Sequence, residues 1–372
     1  MAEKAGVSIT TVSVILSGRE ESLRQFNAET IARVRACAEE LGYRANIFAS
    51  GLPSKACPFF ALVVRDFAKD SVTAWHHWAF EGELLGGVME AAAAREMYPI
   101  VATTEAQADE DSLRLVERIV AGGVFGAIVR SPNRPLERYI YQQSRRGQRI
   151  VVVFPDQVAR WPSNTISVEN FGVGRAAAEL LARHGRRRWA IIHYRDRKPR
   201  ESHLARREAF QRIAQRVGAT VEIVGLPREP EQFTDKDLTQ LRRARPDGIF
   251  AVDSVLSIDA LMACRTLGLK PLEDFSLVGV NCSRWQNTAF PRITSVEVSW
   301  KEIGATAVRE MLRMGDEESN RFPNVLVKPR VVEGDTCPIP ERGAEGDWSV
   351  ERALEYADSQ TGSRPPRRAV IG

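Results

Sequence analysis

Gly248-Ile249-Phe250-Ala251-Val252, the helical stretch Val255–Leu267, and Ser276-Leu277-Val278-Gly279-Val280 decide the fold. A short apolar run, an amphipathic stretch and a second apolar run make one strand–helix–strand unit. Reading backwards, the same unit recurs. Helix Asp237–Ala244 follows strand Val221–Val224, and helix Leu204–Val217 follows strand Trp189–His193. Helix Val173–His184 opens this series, and a kink at Trp161-Pro162 closes off an earlier one. The earlier series has strands at Phe59–Val64, Ile100–Thr103, Gly126–Val129 and Ile150–Phe154. Between them lie helices at Glu83–Arg95, Asp111–Ala121 and Leu136–Arg146. Such alternation means parallel sheets covered by helices. Two series with a break predict an α/β fold of two doubly wound parallel lobes. Ligands bind at the C-terminal strand ends of such sheets, and in two lobes those ends can face each other across a cleft.

Outside this region the character of the chain changes. The first 45 residues read as all helix. Val12, Ile15 and Leu16 share one face behind Ser8, a good N-cap, and Ser17-Gly18 stops that helix. A loop runs to Asn27, a second capping residue. A helix Ala28–Leu41 follows, with Ile31, Val34, Ala38 and Leu41 on one stripe and Gly42 closing it. From Pro338 the chain is rich in Pro, Gly and charge and reads as a disordered tail. The organisation is therefore an N-terminal all-α domain at 1–44, a hinge at 45–57, two α/β lobes at 58–337 and a tail at 338–372.

Composition bounds what such a chain does. It has 372 residues, 44% hydrophobic and 27% charged, which fits a globular protein of two or three folding units. No stretch approaches a membrane span and the N-terminus has no apolar signal core, so a cytoplasmic location is expected. Five scattered cysteines without CxxC spacing argue against a disulfide framework or structural zinc. The net charge of +4 permits a nucleic-acid partner without demanding one. No GxSxG, P-loop or HExxH occurs, so neither an enzyme nor a cofactor is expected. His76 and His77 are adjacent and would not share a helix face, so no metal site is expected there. Arg186-Arg187-Arg188 reads as a solvated turn.

Ala5-Gly6-Val7-Ser8-Ile9-Thr10-Thr11-Val12-Ser13 carries the sharpest functional signal. Small residues form a tight turn, Ser8 caps the next helix, and Val7 and Val12 face inward. In a helix-turn-helix, Ile9 and Thr10 at the start of the second helix would enter a major groove, with Val14 one turn on. The hydroxyls of Ser8, Thr11 and Ser13 can donate to phosphates.

With Leu16-Ser17-Gly18 and Ala38-Glu39-Glu40-Leu41-Gly42-Tyr43-Arg44-Ala45-Asn46, this segment closely resembles the LacI/GalR family of bacterial transcriptional regulators. The resemblance implies a hinge after Asn46 whose leucine, here Leu52, wedges into the minor groove of a bent operator. It also implies a homodimer on a pseudo-palindromic double-stranded DNA operator. Family members usually carry more residues ahead of the position of Met1, so the first helix here is expected to be short. Val14 stands where the family often has arginine, and Gly51 and Pro53 flank Leu52. Residues 1–57 hold seven Lys/Arg against six acids, so one copy should bind DNA weakly.

The resemblance continues through Val168-Glu169-Asn170-Phe171-Gly172-x-Gly174 and Phe250–Leu269 to Pro291-x-Ile293-Thr294-Ser295-Val296. It implies a periplasmic-binding-protein-like sensor with three crossings between lobes, near 158–165, 283–292 and 316–324. It further implies effector contacts at Asp156, Arg206, Asp253 and Asn281. Trp78 and Trp285, with Trp75, could stack on a sugar face, and Val298 and Trp300 stand at further cleft positions. Asp253 sits where the family usually has asparagine and Asn281 where it usually has aspartate. The expected effector is a small polar molecule, a carbohydrate in class; the rival expectation is a solute-binding protein with no DNA role.

Overall fold

The computed structural model describes residues 1–16, 20–43, 57–66, 74–105, 109–132, 134–155, 158–195, 200–226, 234–282, 291–316, 321–339 and 369–371. Four helices make the N-terminal unit: α1 (Ala2–Ala5), α2 (Ile9–Leu16), α3 (Glu20–Leu23) and α4 (Ala28–Glu40). Gly6 takes the left-handed conformation (φ 65°) that turns the chain from α1 into α2. Ala5, Ile15, Val34 and Cys37 form the core, with Val7, Val12, Leu16, Leu23, Phe26 and Ile31 packed around it. Arg33 Nε donates to the Ala5 carbonyl (2.9 Å), satisfying the end of α1. Asn27 caps α4 by accepting from the Thr30 amide at 2.7 Å. Two expectations change. The supposed loop contains α3, and Leu41 lies past the end of α4, exposed, while Cys37 takes the buried place on the stripe.

The rest is two sheets. The first runs β13-β11-β5-β4-β3-β1-β2, parallel throughout. Its strands are β1 (Phe59–Asp66), β2 (Tyr98–Glu105), β3 (Ala127–Arg130), β4 (Ile150–Val153), β5 (Thr165–Val168), β11 (Val325–Val327) and β13 (Ala369–Ile371). The second runs β12-β10-β9-β8-β6-β7 and is parallel except for β12. It comprises β6 (Arg188–Tyr194), β7 (Thr220–Leu226), β8 (Gly248–Ala251), β9 (Ser276–Val280), β10 (Thr294–Glu297) and β12 (Arg330–Val332). The helices are α5 (Ala74–Ala93), α6 (Asp109–Ala121), α7 (Arg134–Arg145), α8 (Asn170–Arg183), α9 (Glu201–Arg216), α10 (Asp235–Ala244), α11 (Ser254–Thr266) and α12 (Trp300–Asp316). Strands β3, β4 and β8 are buried at every position, as apolar runs in a parallel sheet must be. The α/β class with a preceding helix-turn-helix is as read from sequence.

The crossings are placed differently. β5 belongs to the first sheet, and α8, two residues later, packs on α9, β9 and β10 of the second lobe. The first crossing is thus Glu169, not 158–165. β10 belongs to the second sheet while α12 packs on α5, β3, β4 and β5, so the second crossing is Val298-Ser299. The third is Lys328-Pro329, between β11 and β12. Each lobe takes one more strand before the chain leaves it. The missed strands β5 and β10 are half hydroxyl-bearing, yet Thr165, Thr294 and Ser295 are fully buried. Thr165 Oγ1 donates to Asn324 Oδ1 (2.7 Å), Thr294 Oγ1 to the Cys337 carbonyl (2.8 Å), and Ser295 Oγ accepts from the Cys282 amide (2.9 Å). These bonds replace the water that burial removes.

Three further expectations are corrected. Helix α5 starts at Ala74 rather than Glu83, so Trp75–Trp78 lie on its first turns and not in a loop. The tail contributes Ala369–Ile371, a β-prone Ala-Val-Ile run that pairs with β11 in parallel register. Arg186 is not simply solvated: Nε donates to Ser276 Oγ (3.0 Å) and Nη2 to the Leu272 carbonyl (2.7 Å).

Candidate functional site

Two regions carry the residues singled out from sequence. The first is the exposed start of α2. Ser8 accepts from the Thr11 amide (3.0 Å), and its hydroxyl shares a hydrogen bond with Thr11 Oγ1 (2.8 Å). Ser8 and Thr11 are therefore spent largely on the cap. Ile9, Thr10 and Ser13 are exposed, Ile9 at 79%, opposite the buried Ile15. Val14 is half-buried beside them. An exposed isoleucine at a helix start, on a face with small hydroxyls, is shaped for contact with another surface. Asn46 and Leu52 lie outside the described residues.

The second region is the cleft edge of the two lobes. Because β5 and β10 both run directly into the opposite lobe, the C-terminal strand ends of the two sheets face each other. The strand order reverses between β1 and β3 in the first sheet and between β6 and β8 in the second, the crevice where such sheets hold ligands. Three non-glycine residues in the left-handed region lie at these ends: Ser131 (φ 44°), Phe154 (φ 52°) and Asn281 (φ 55°).

On the second lobe, Arg206 and Asp253 come together. Asp253 caps α11, its Oδ1 accepting from the Val255 amide (2.9 Å) and from the Tyr194 hydroxyl (3.2 Å). His203 Nε2 lies 3.8 Å from Oδ2, and its ring stacks on Tyr194. Burial works to raise the Asp253 carboxyl, but His203, the Val255 amide, Arg200 and Arg206 together hold it below its ordinary value. Arg206 Nε donates to Asn170 Oδ1 (2.9 Å) and Nη1 to the Val252 carbonyl (2.7 Å). Burial lowers its guanidinium to about 10, opposed by Asp253. Asp259, one turn along α11, is raised to about 6 by burial first and by the charge of Asp253 second. Asn281 is nearly buried and its Oδ1 accepts from the Val298 amide (2.8 Å), tying the end of β9 to the second crossing. Tyr194 and His203 were missed from sequence, and Asn170 was read only as part of the Val168–Gly174 segment, without a site role. Tyr194 sits at a strand end and His203 inside a helix, with no local motif to mark them.

On the first lobe, Arg130 ends β3 and pairs with Glu81 of α5 at 2.6 Å, both buried. Burial raises the Glu81 carboxyl against the opposing charge of Arg130. Trp300, the first residue after the second crossing, packs on Phe80 (5.2 Å between ring centroids) and Phe154 (4.3 Å), with the Arg130 guanidinium 5.4 Å from its ring centre. Val298 is buried. Trp78 lies on α5, its side chain outside the described set, and Asp156 and Trp285 lie outside the described residues.

A family model for bacterial regulatory proteins of the lacI family matches residues 1–46. A second, for a periplasmic binding protein-like domain, matches residues 178–337. The HTH-type transcriptional regulator DegA of Bacillus subtilis (strain 168) is 23% identical over 346 residues, spanning 91% of this chain and 97% of DegA. The chain belongs to the lacI family. Catabolite control protein A of Priestia megaterium, another relative, is 24% identical over 328 residues, covering 86% of this chain and 92% of that one. Among solved structures, the lac repressor dimer bound to operator and the anti-inducer ONPF superposes with a TM-score of 0.73 at 18% identity, over 91% of this chain and 98% of that one. The transcriptional regulator CelR in complex with cellobiose gives 0.59 at 22% identity, over 90% and 98%. These likenesses establish the fold of this lacI-family chain as a helix-turn-helix plus a two-lobed periplasmic-binding-protein-like domain. Among its described residues no helix is long and apolar enough to cross a membrane, and no group of three His, Cys, Asp or Glu could hold a metal ion.

Proposed function

We propose that the protein is a transcription repressor that binds a pseudo-palindromic DNA operator as a homodimer and releases or tightens on it when a small polar effector, a carbohydrate in class, enters the cleft. The observation that carries the reading is the coexistence in one chain of an exposed recognition-helix start and a cleft whose two walls are joined by crossings of one or two residues. Ile9, Thr10 and Ser13 are the base-edge and phosphate candidates, with Ser8 and Thr11 positioning them and Val14 offering apolar contact to a thymine methyl. Leu52 and Asn46 belong to the hinge in this reading, and Asp156, Trp78 and Trp285 to the cleft wall.

The dimer rests on a separate observation. β2 is an edge strand, and Tyr98, Ile100 and Val101 stand exposed along it, with Met89 exposed on α5. An exposed apolar edge is a pairing surface unless it is covered. A second copy would cover it and place two recognition helices on one duplex.

Random-duplex selection with the full chain at two salt concentrations tests the reading. Enrichment of a two-fold symmetric site, weakened by salt, is expected. Salt-insensitive failure to select any site would leave a solute-binding protein without a DNA role.

A further inference from the structure

Helix α7 (Arg134–Arg145) carries charge that neither the cleft nor the helix-turn-helix uses. Arg134, Arg138, Tyr141 and Arg145 follow one another at i, i+4, i+7 and i+11, within about 60° of the helix circumference and along about 16 Å of its axis. All four are exposed, as is Arg146 just beyond the helix end. Leu136 and Ile140, on the opposite side, are buried in one cluster with Val129 and Val152 of the first sheet. None of Arg134, Arg138, Arg145 and Arg146 forms an ion pair among the described residues. Other helices balance such charges within a turn: Arg114 with Glu110, Arg175 with Glu179, Arg212 with Glu208 and Arg313 with Glu310. On α7 the residue four places from Arg134 is Arg138, a like-charge pair that destabilises a helix face left uncovered. Two acids stand near: Glu137, half-buried on α7, and Glu117 on α6, which acts on Tyr139 together with Arg146. Residues 134–149 hold five arginines against Glu137, an excess of four. The whole chain, with 52 Lys/Arg and 48 Asp/Glu, has the same excess, so the rest of it is neutral.

We infer that this face of α7 is a second DNA contact, one that lies outside the helix-turn-helix and grips the phosphate backbone without reading bases. The inference rests on the DNA-binding part of the reading above and extends it. Residues 1–57 hold seven Lys/Arg against six acids, so the recognition unit brings almost no charge to a polyanion. Sequence-independent affinity for a duplex comes from neutralised phosphates, and the chain's positive excess sits on α7 instead. The chemistry of the face fits phosphate better than protein. A guanidinium meets two phosphate oxygens at once, and the exposed Tyr141 hydroxyl and Gln142 amide can donate to single ones. A protein partner would need an apolar centre to bury, and on α7 Tyr141 alone is a large hydrophobic residue standing exposed. The helix lies on the opposite face of the first sheet from α5 and α12, apart from the β2 edge proposed for the second copy. A dimer formed there leaves the stripe open.

Fluorescence anisotropy on the full chain tests this with a labelled mixed-sequence duplex of about 60 base pairs, between about 50 mM and about 200 mM NaCl. One variant combines Arg134→Gln, Arg138→Gln, Arg145→Gln and Arg146→Gln, with glutamine close to arginine in helix propensity. All four positions are exposed, so its melting temperature should stay unchanged. A control variant removes the same charge from exposed helix positions of the second lobe: Arg183→Gln, Arg216→Gln, Arg242→Gln and Arg243→Gln. The inference expects the α7 variant to lose about tenfold or more in affinity at about 50 mM NaCl, with a salt slope lower by about 3 to 4 for each protomer bound. The control should bind within about twofold of the unaltered protein. Equal losses in both variants overturn the inference, because net charge alone then explains them. Undiminished binding by the α7 variant also overturns it, and directs the stripe to an acidic protein surface. So does failure of the unaltered chain to bind the duplex at all. Random-duplex selection reads the repressor proposal separately. A chain that selects no symmetric site, yet loses duplex binding with the α7 arginines, upholds this inference and sinks that proposal.

Discussion

At the scale of single residues, the same side-chain type does different work a turn apart. Ser8 is held in a cap, whereas Thr10 stands exposed. Ser8→Ala should therefore cost about 1 kcal/mol of stability in the N-terminal unit, read as a lower melting temperature. Thr10→Ala should leave melting unchanged and weaken operator binding severalfold in a fluorescence anisotropy titration. Equal melting losses in both would show that the face of α2 is misjudged. Asp259 makes a pH-dependent case. Its folded value of about 6 lies above its ordinary value of 3.8, so the folded state binds the proton more tightly. The stability this contributes is fully present below about pH 3.8 and is lost as pH rises through about 6. Asp259→Asn, which never carries the buried charge, should raise the melting temperature at pH 7.5 by a few degrees and change it little at pH 4. A gain of the same size at both pH values would mean that burial of the ionised carboxyl is not the cause. Sequence, through family resemblance, grouped Arg206 and Asp253, and the structure brings the two side chains together. Their partners Tyr194 and His203 lie 59 and 50 residues from Asp253 along the chain, and only folding brings them to it.

Among the elements, those that sequence revealed and those it hid differ in one physical respect. β3, β4, β8 and β9 are buried on both faces and written in apolar residues, so their runs are plain in the sequence. β5 (Thr165-Ile166-Ser167-Val168) and β10 (Thr294-Ser295-Val296-Glu297) are just as buried, but satisfy their hydroxyls through side-chain bonds to distant segments, Asn324 and Cys337. A pattern of alternating polar residues does not announce burial on both faces. Overlooking these two strands, and β11 before the third crossing, is what shifted the expected crossings towards the N-terminus. The Glu169–Gly174 segment, by contrast, is explained in full once folded. Glu169 caps α8 by accepting from the Gly172 amide (2.9 Å), and Asn170 holds Arg206. Gly174 lets α9 approach so closely that a Cβ there would lie 1.9 Å from the Arg206 carbonyl oxygen. Gly174→Ala must push α9 away, at a cost of about 1–3 kcal/mol, and must carry the Arg206 and His203 side chains with it. Effector affinity should fall beyond what the stability loss explains. Gly304→Ala, which would set a Cβ 2.3 Å from the Leu84 carbonyl where α12 meets α5, offers the comparison. It should destabilise the first lobe and leave the contacts around Arg206 unmoved. Calorimetry on both variants, at a temperature where each is folded, separates the two effects.

The molecule as a whole is two rigid sheets joined at three short crossings, and these crossings are tied to one another. The Glu169 amide donates to the Val327 carbonyl (3.0 Å), linking the first crossing to the third, and Asn281 anchors the second. Burial raises the Glu169 carboxyl, with Arg175 and Lys328 opposing, so the charge of the first crossing is balanced partly from the third. Joints this short allow the lobes to rotate as bodies while resisting independent sliding, so an effector that binds closed and open forms unequally shifts their relative angle. Such a shift reaches DNA only if a second copy fixes the first lobe's outer edge. The β2 edge, with Tyr98, Ile100 and Val101 exposed, is the surface that a second copy would fix. Tyr98→Lys with Val101→Lys puts like charges on both sides of that contact at two exposed positions, one on each face of β2. Sedimentation equilibrium at micromolar concentration should then give half the mass of the unaltered protein, with an unchanged far-ultraviolet circular dichroism spectrum. Operator affinity should fall by about a hundredfold or more, because two linked recognition helices become two separate weak binders. A double variant that stays dimeric would move the interface away from β2, and one that is monomeric yet binds the operator undiminished would mean that a single recognition helix suffices.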